Sequence, residues 1–193
     1  MLLIEHRVNT VEHLRRVPRD RGVEVDVRDG GGRLELSHDP FEGGERLDEY
    51  LRSYEHAFIV FNMKCDGLEG DVLAHARARG ISDLFLLDVA APSLVRLARA
   101  GERRLAVRFS EYEPVESALA LAGRVDWVWV DCFTRLPLDP DRYALLRPHF
   151  RLCLVSPELQ RHPRAEVRTY RESLASTPVD AVCSDFCEDW IAP

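Results

Sequence analysis

Gly22-Val-Glu-Val-Asp-Val-Arg28, followed by Leu34-Glu-Leu-Ser-His38-Asp39, is the stretch on which the fold turns. Strict alternation puts Val23, Val25 and Val27 on one face of a strand and Glu24, Asp26 and Arg28 on the other. On a surface strand the charged face would be solvated. This strand, however, belongs to a chain that repeats strand and helix from end to end. In such a chain helices cover the valine face, and the charged face points into the middle of the sheet. Two inward carboxylates need a counter-charge, and a bound cation is the usual one. His38, one extended piece later, adds a proton-transfer group.

Outward from this stretch, short apolar runs predict strands at residues 2–6, 23–28, 58–64, 84–88, 105–109, 127–131, 152–155 and 181–184. A further extended piece at 34–37 follows the turn Asp29-Gly30-Gly31-Gly32. Helical periodicity falls at 10–16, 47–54, 70–79, 92–100, 115–122, 140–147 and 165–175, with 10–16 the weakest, and Pro92 and Pro114 sit in first-turn positions. Eight strands alternating with seven helices predict an α/β protein, a compact (β/α)8 TIM barrel with short helices and loops, as a single domain over 1–193. An open doubly wound sheet would carry a glycine-rich phosphate loop after its first strand, and that position reads His6-Arg-Val-Asn-Thr10.

Composition narrows the function. A hydrophobic fraction of 46% and a charged fraction of 31% describe a water-soluble globular chain. The net charge of −7 argues against nucleic-acid binding, which needs a basic footprint, but leaves room for a small anion held by a few local cations. No run approaches the roughly 18 apolar residues of a membrane span, and Met1-Leu2-Leu3-Ile4 meets Glu5 too soon for a signal peptide. The five scattered cysteines (Cys65, Cys132, Cys153, Cys183, Cys187) form no zinc pattern and predict reduced thiols in a cytoplasmic protein. Oligomeric state is not written in the sequence.

Each predicted strand ends in polar residues: His6; Asp26 and Arg28; Lys64 and Asp66; Asp88; Arg108 and Ser110; Asp131; Ser156; Asp185. In a closed barrel these ends meet at the carboxyl-terminal mouth, where such folds keep their chemistry. Asn62, Lys64 and Asp66 share one face at i, i+2, i+4. If that face is inward, Lys64 joins Arg7, Arg28 and Arg108 beside the carboxylates, a set suited to a phosphate bridged by an ion. His6 and His38 can then divide acid and base roles. Trp127 and Trp129 share one face and are expected to pack rather than stack on a ligand, while Arg15-Arg16 and Arg103-Arg104 are expected to be solvated surface.

These residues resemble the glycerophosphodiester phosphodiesterase family, whose hallmarks are an early His-Arg, an acidic-x-acidic pair on the second strand and a His-Asp shortly after. The chain offers Glu5-His6-Arg7 with Asn9-Thr10, then Glu24-Val25-Asp26, then His38-Asp39, and Ser184-Asp185 near its end. The resemblance implies that His6 and His38 are the acid–base pair, with His6 preferred as base and His38 as acid. It also implies that Glu24 and Asp26 hold a divalent ion, Mg²⁺ or Ca²⁺, and that Arg7 and Lys64 contact the phosphate. Two features depart from the pattern. Asn62 stands where the family places a third metal-binding glutamate, and Val8 follows His6-Arg7 where the family has glycine and a longer loop. The pieces Asn62-Met-Lys-Cys-Asp-Gly67, Arg108-Phe-Ser-Glu-Tyr-Glu113, Asp131-Cys-Phe133 and Val155-Ser-Pro-Glu-Leu159 resemble a short bacterial branch in which Asn-x-Lys is the normal form. On that footing Asn62 is a third metal ligand, and Arg108, Glu111, Asp131 and Glu158 shape substrate specificity.

The resulting expectation is a metal-dependent phosphodiesterase hydrolysing a small phosphodiester, such as a glycerophosphodiester. Two alternatives stay open: a non-catalytic barrel binding a phosphorylated sugar or headgroup, and a lyase that forms a cyclic phosphate.

Overall fold

A computed structural model describes residues 1–191. In chain order the elements are β1 (Leu2–Glu5), α1 (Val11–Leu14), β2 (Gly22–Asp29), β3 (Leu34–Leu36), β4 (Glu45–Arg46), α2 (Leu47–Tyr50), β5 (Phe58–Met63), α3 (Glu69–Ala78), β6 (Leu84–Leu87) and α4 (Ala91–Arg99). They continue with β7 (Ala106–Phe109), α5 (Val115–Leu119), β8 (Trp127–Val130), α6 (Pro140–Leu146), β9 (Arg151–Val155), α7 (Glu166–Ser173) and β10 (Ala181–Ser184). All eight predicted strands are present, along with the extended piece at β3. The predicted helices form as well, several of them shorter than their periodicity suggested. The chain divides into two compact units, Glu5–Leu97 and Met1–Ile4 with the residues from Ala98 onward.

In the Glu5–Leu97 unit, β2 pairs in parallel with β5, from Gly22↔Phe58 to Val27↔Met63, and β5 pairs in parallel with β6. Val23, Val25 and Val27 are fully buried, and so, at 1% exposure, are Glu24 and Asp26. Both faces of β2 are therefore dry, as the alternation required. Each buried valine contributes about 1.5–3 kcal/mol, which is what lets the same strand carry two buried carboxylates. On its other edge β2 turns back into β3, antiparallel, with Val27↔Leu36 and Asp29↔Leu34. Gly31 and Gly32 make this turn at φ +74° and +86°, a region that side chains disfavour. The two-residue strand β4, which the sequence pattern does not reveal, then pairs with β3. It can do so because Gly44 approaches the Leu36 backbone so closely that a Cβ there would lie 2.1 Å from the Leu36 carbonyl oxygen.

Thr10 caps α1, its hydroxyl accepting from the His13 N–H at 3.1 Å. The helix runs for only four residues because the chain must return through Pro18 to β2.

In the other unit β7, β8, β9 and β10 pair in parallel and in order, and Leu2 of β1 joins the edge through its N–H to the Asp180 carbonyl at 2.8 Å. Trp127 and Trp129 are buried on β8, in agreement with the packing expectation. Asp139 caps α6 by accepting from the Arg142 N–H at 2.8 Å, with Pro140 in the first turn. Cys132, Cys153, Cys183 and Cys187 are buried, and burial pushes the Cys132 and Cys153 thiols well above the ordinary range. No helix among the described residues is long and apolar enough to cross a membrane.

Candidate active site

The strands β2 and β5, with the turn after β1 and the loop after β3, bring seven of the eleven expected site residues together in the Glu5–Leu97 unit. Glu24 and Asp26 are held by donors from both sides. Glu24 Oε2 accepts from the Arg7 backbone N–H at 2.8 Å and Oε1 from the Asn62 side-chain amide at 2.9 Å. Asp26 Oδ2 accepts from Asn9 Nδ2 at 2.8 Å, while Asn9 Oδ1 accepts from the Asp26 backbone N–H, also at 2.8 Å. Asp26 Oδ1 faces the Lys64 ammonium at 3.1 Å, an ion pair set off the hydrogen-bonding direction.

Burial raises the Glu24 carboxyl above its ordinary range, with the Asp26 charge adding to the shift. The His6 charge and the bonds from Arg7 and Asn62 pull the other way without cancelling it.

Arg7 adopts φ +52°, the left-handed region, at a cost of about 1–2 kcal/mol for a residue with a side chain. The turn aims its N–H at Glu24 and sends its guanidinium to His38, Nη2 lying 2.6 Å from His38 Nε2. Val8 follows with its side chain fully buried and its N–H on the Glu24 carbonyl at 2.8 Å, so the loop is short because Val8 is part of the core.

His38 Nδ1 lies 3.0 Å from the Asp39 carboxylate. A guanidinium has only donors, so Nε2 carries the lone pair and the imidazole proton sits on Nδ1 facing Asp39. Arg28 reaches the His38 backbone: its Nε and Nη2 lie 3.2 and 2.7 Å from the His38 carbonyl oxygen.

The expected shared face of Asn62, Lys64 and Asp66 breaks after Lys64. β5 ends at Met63, and Asp66 Oδ1 accepts from Ser93 at 2.7 Å, leaving it outside the carboxylate pair. Two positions that residue-type reasoning did not single out matter here. Asn9, which enters the sequence reading only as part of a motif, brackets Asp26, and Tyr50 is fully buried with a hydroxyl that has no hydrogen-bond partner among the described residues. Burial, then the Tyr54, Glu45 and Glu24 charges, keeps the Tyr50 phenol protonated. The signal for Asn9 was its place one residue before a cap, where an amide side chain has short reach to a neighbouring strand.

The four remaining expected residues lie in the other unit, engaged within it. Arg108 pairs with Asp131 at 2.5 Å, and Asp131 also accepts from Gln160 at 2.7 Å and from its neighbour's N–H. Glu111 accepts from the backbone of Phe133, Thr134 and Arg135. Glu158 accepts from Ser156, from Ser184 at 2.6 Å and from the Asp185 N–H, while Trp190 donates to Ser156 at 2.9 Å. Trp190 is thereby fixed to the end of β9.

In kind, the donors fit a hard divalent cation. Glu24 and Asp26 supply carboxylate oxygens, and Asn62 Oδ1 is a buried amide oxygen with no hydrogen-bond partner among the described residues. Among the described residues no group of three or more His, Cys, Asp or Glu is placed to hold a metal ion.

By sequence, no family model and no curated protein matches the chain. By structure, a glycerophosphodiester phosphodiesterase from Agrobacterium tumefaciens matches 98% of this chain and 97% of its own at a TM-score of 0.71 and 16% identity. A glycerophosphoryl diester phosphodiesterase from Parabacteroides distasonis matches 95% and 82% at 0.65 and 12% identity. A tryptophan synthase α-subunit from Pyrococcus furiosus matches 97% and 88% at 0.60 and 14% identity. The fold is the (β/α)8 barrel of the α/β class, as the strand count predicted. It is the fold of glycerophosphodiester phosphodiesterases, and it is also used by an enzyme of different chemistry.

Proposed function

We propose that the chain is a phosphoric diester hydrolase acting on a small phosphodiester of the glycerophosphodiester class, with a divalent ion, Mg²⁺ or Ca²⁺, at Glu24, Asp26 and Asn62. One observation carries the reading. Two histidines, two buried carboxylates, an amide and two cationic side chains converge at neighbouring strand ends, on a fold shared with phosphodiesterases of that class. A fold alone would not decide it, since the tryptophan synthase subunit has the same one.

A bound divalent ion would polarise a phosphoryl oxygen and offset charge as it builds. The chain's own groups do the rest. Lys64, fixed by Asp26, presents an ammonium to the phosphate. One histidine takes the proton of the attacking water while the other supplies a proton to the leaving alkoxide oxygen, so that one P–O bond forms and one breaks. His38 rests with a lone pair on Nε2, capped by Arg7. A phosphate oxygen is the stronger partner for a guanidinium. Substrate arrival therefore draws Arg7 off His38 and leaves Nε2 free to take up a proton from solvent and deliver it to the leaving alkoxide oxygen, with Asp39 steadying the imidazolium, while the water's proton goes to the other histidine. His6, beside Glu24, serves as base.

The test is product release from a panel of glycerophosphodiesters and one aryl phosphodiester, in EDTA and with added Mg²⁺, Ca²⁺ or Mn²⁺, for wild type and His38→Ala. Turnover that needs the ion and disappears in the variant supports the proposal. Turnover on none of the panel, or equal turnover in His38→Ala, overturns it. Running the reaction in ¹⁸O water separates hydrolysis, which puts solvent oxygen into the phosphate, from cyclisation, which does not.

A further inference from the structure

We infer that Arg28 is a positioning residue for His38, acting through the His38 peptide carbonyl rather than on a phosphate. The inference rests on the proposed function only in giving His38 a proton-transfer role.

The need for such a residue follows from where His38 stands. β3 ends at Leu36. The last link back to β2 is the Ser37 N–H on the Asp26 carbonyl at 3.0 Å. Beyond it the chain leaves the sheet and does not regain strand structure until Glu45. Through this excursion it passes Phe41 at φ +66° with its side chain fully exposed, then Gly43 and Gly44. His38 is thus a candidate proton-transfer residue on a loop, and loops hold geometry less well than strands. Its carbonyl lies past the β2–β3 ladder, which ends at Leu36.

Arg28 supplies a partner for that carbonyl. It occupies the third inward position of β2, after Glu24 and Asp26, and spends two donors of one guanidinium on the single oxygen of His38. A charged donor pair on a carbonyl is stronger than an ordinary amide bond, and the planar fork fixes direction as well as distance. Three successive inward residues of one strand therefore act on one centre. Glu24 and Asp26 form the acidic pair, and Arg28 sets the height of the histidine opposite it. Side-chain bonds to Asp39 and Arg7 then fix the ring's rotation.

The experiment compares full-length wild type, Arg28→Gln and Arg28→Lys by imidazole NMR, with the His38 signal assigned by its loss in His38→Ala, and by kcat and KM on a diester that the wild type turns over. In Arg28→Gln the His38 signal is expected to broaden or split, with kcat falling about 10- to 10²-fold and KM holding within about twofold, because a misplacement near 1 Å costs that much. Arg28→Lys, which keeps one charged donor, should recover part of both losses. A rise in KM at unchanged kcat would mark Arg28 as a phosphate contact and overturn the inference, and so would an unmoved His38 signal. The NMR arm needs no turnover. If no diester is processed, the proposed function fails while the positioning role is still decided. Should Arg28→Gln not fold, the Arg28→Lys spectrum and kcat decide alone, an unchanged signal and rate overturning the inference.

Discussion

Replacing Lys64 by Met should destabilise the protein by about 3 kcal/mol. Asp26 is 1% exposed and the Lys64 side chain 18%, and they sit 3.1 Å apart. At an effective dielectric constant near 20, that separation corresponds to about 5 kcal/mol of attraction. Part of it is spent keeping the ammonium half out of water. Removing one partner of a buried pair typically costs about 3–5 kcal/mol, because the charge left behind is uncompensated. The low end applies here because Asn9 still donates to Asp26 Oδ2 and still accepts from the Asp26 N–H. The assay is urea unfolding at neutral pH without divalent ions, for wild type, Lys64→Met, Asp26→Asn and the double variant. The double variant should recover about 2 kcal/mol relative to Lys64→Met, since it no longer buries a lone carboxylate. A loss below about 1 kcal/mol in Lys64→Met, or strict additivity in the double variant, would refute the reasoning.

Further outcomes follow from the same geometry. Asn62→Asp supplies a third carboxylate and should tighten Mg²⁺ binding by about tenfold in titration calorimetry, since affinity follows ligand charge, while lowering stability without the ion; unchanged affinity would remove Asn62 from the metal site. The Glu24 carboxyl is raised in the folded state from its ordinary value of 4.5, so the stability it contributes is complete below that value and is lost as pH rises through the raised one. Glu24→Gln should therefore flatten the decline in urea midpoint from pH 4.5 upward, and parallel wild-type and variant curves would contradict the assignment. Inorganic phosphate should shift the His38 imidazole nitrogen signals as Arg7 leaves Nε2, a response that Arg7→Ala should abolish. In Glu158→Ala, the lost bonds to Ser156 and Ser184 should lower stability by about 2 kcal/mol in urea unfolding, which a loss below about 0.5 kcal/mol would overrule.

Much of this protein is legible in its sequence because its strands are buried on both faces. The alternation in 22–28 fixes which side chains of β2 point inward, and no packing detail can move them without turning the valines outward. For the same reason the strands, the glycine turn and the pair Glu24–Asp26 could be read from residue order alone. What resisted reading depends on length and reach. The helical periodicities at 10–16 and 47–54 overran the real α1 and α2, because the chain's return path rather than propensity ends those helices. β4 is two residues long and exists only through the close approach of Gly44 to Leu36.

In the site, the sequence by itself determined the kinds of group present: two carboxylates, two histidines, an amide, a lysine and arginines. Tertiary structure alone decided their partners. Asp66 shares a sequence spacing with Lys64 but turns to Ser93, because β5 ends before alternation can carry it inward. Arg28 shares a face with Asp26 but grips a carbonyl, because β3 stops short of His38. Arg7 meets His38 across 31 positions of chain, a contact set by a left-handed turn that no local pattern encodes. Periodicity fixes the direction of a side chain within its own strand. The partner it finds depends on where neighbouring strands end, which only long-range packing sets.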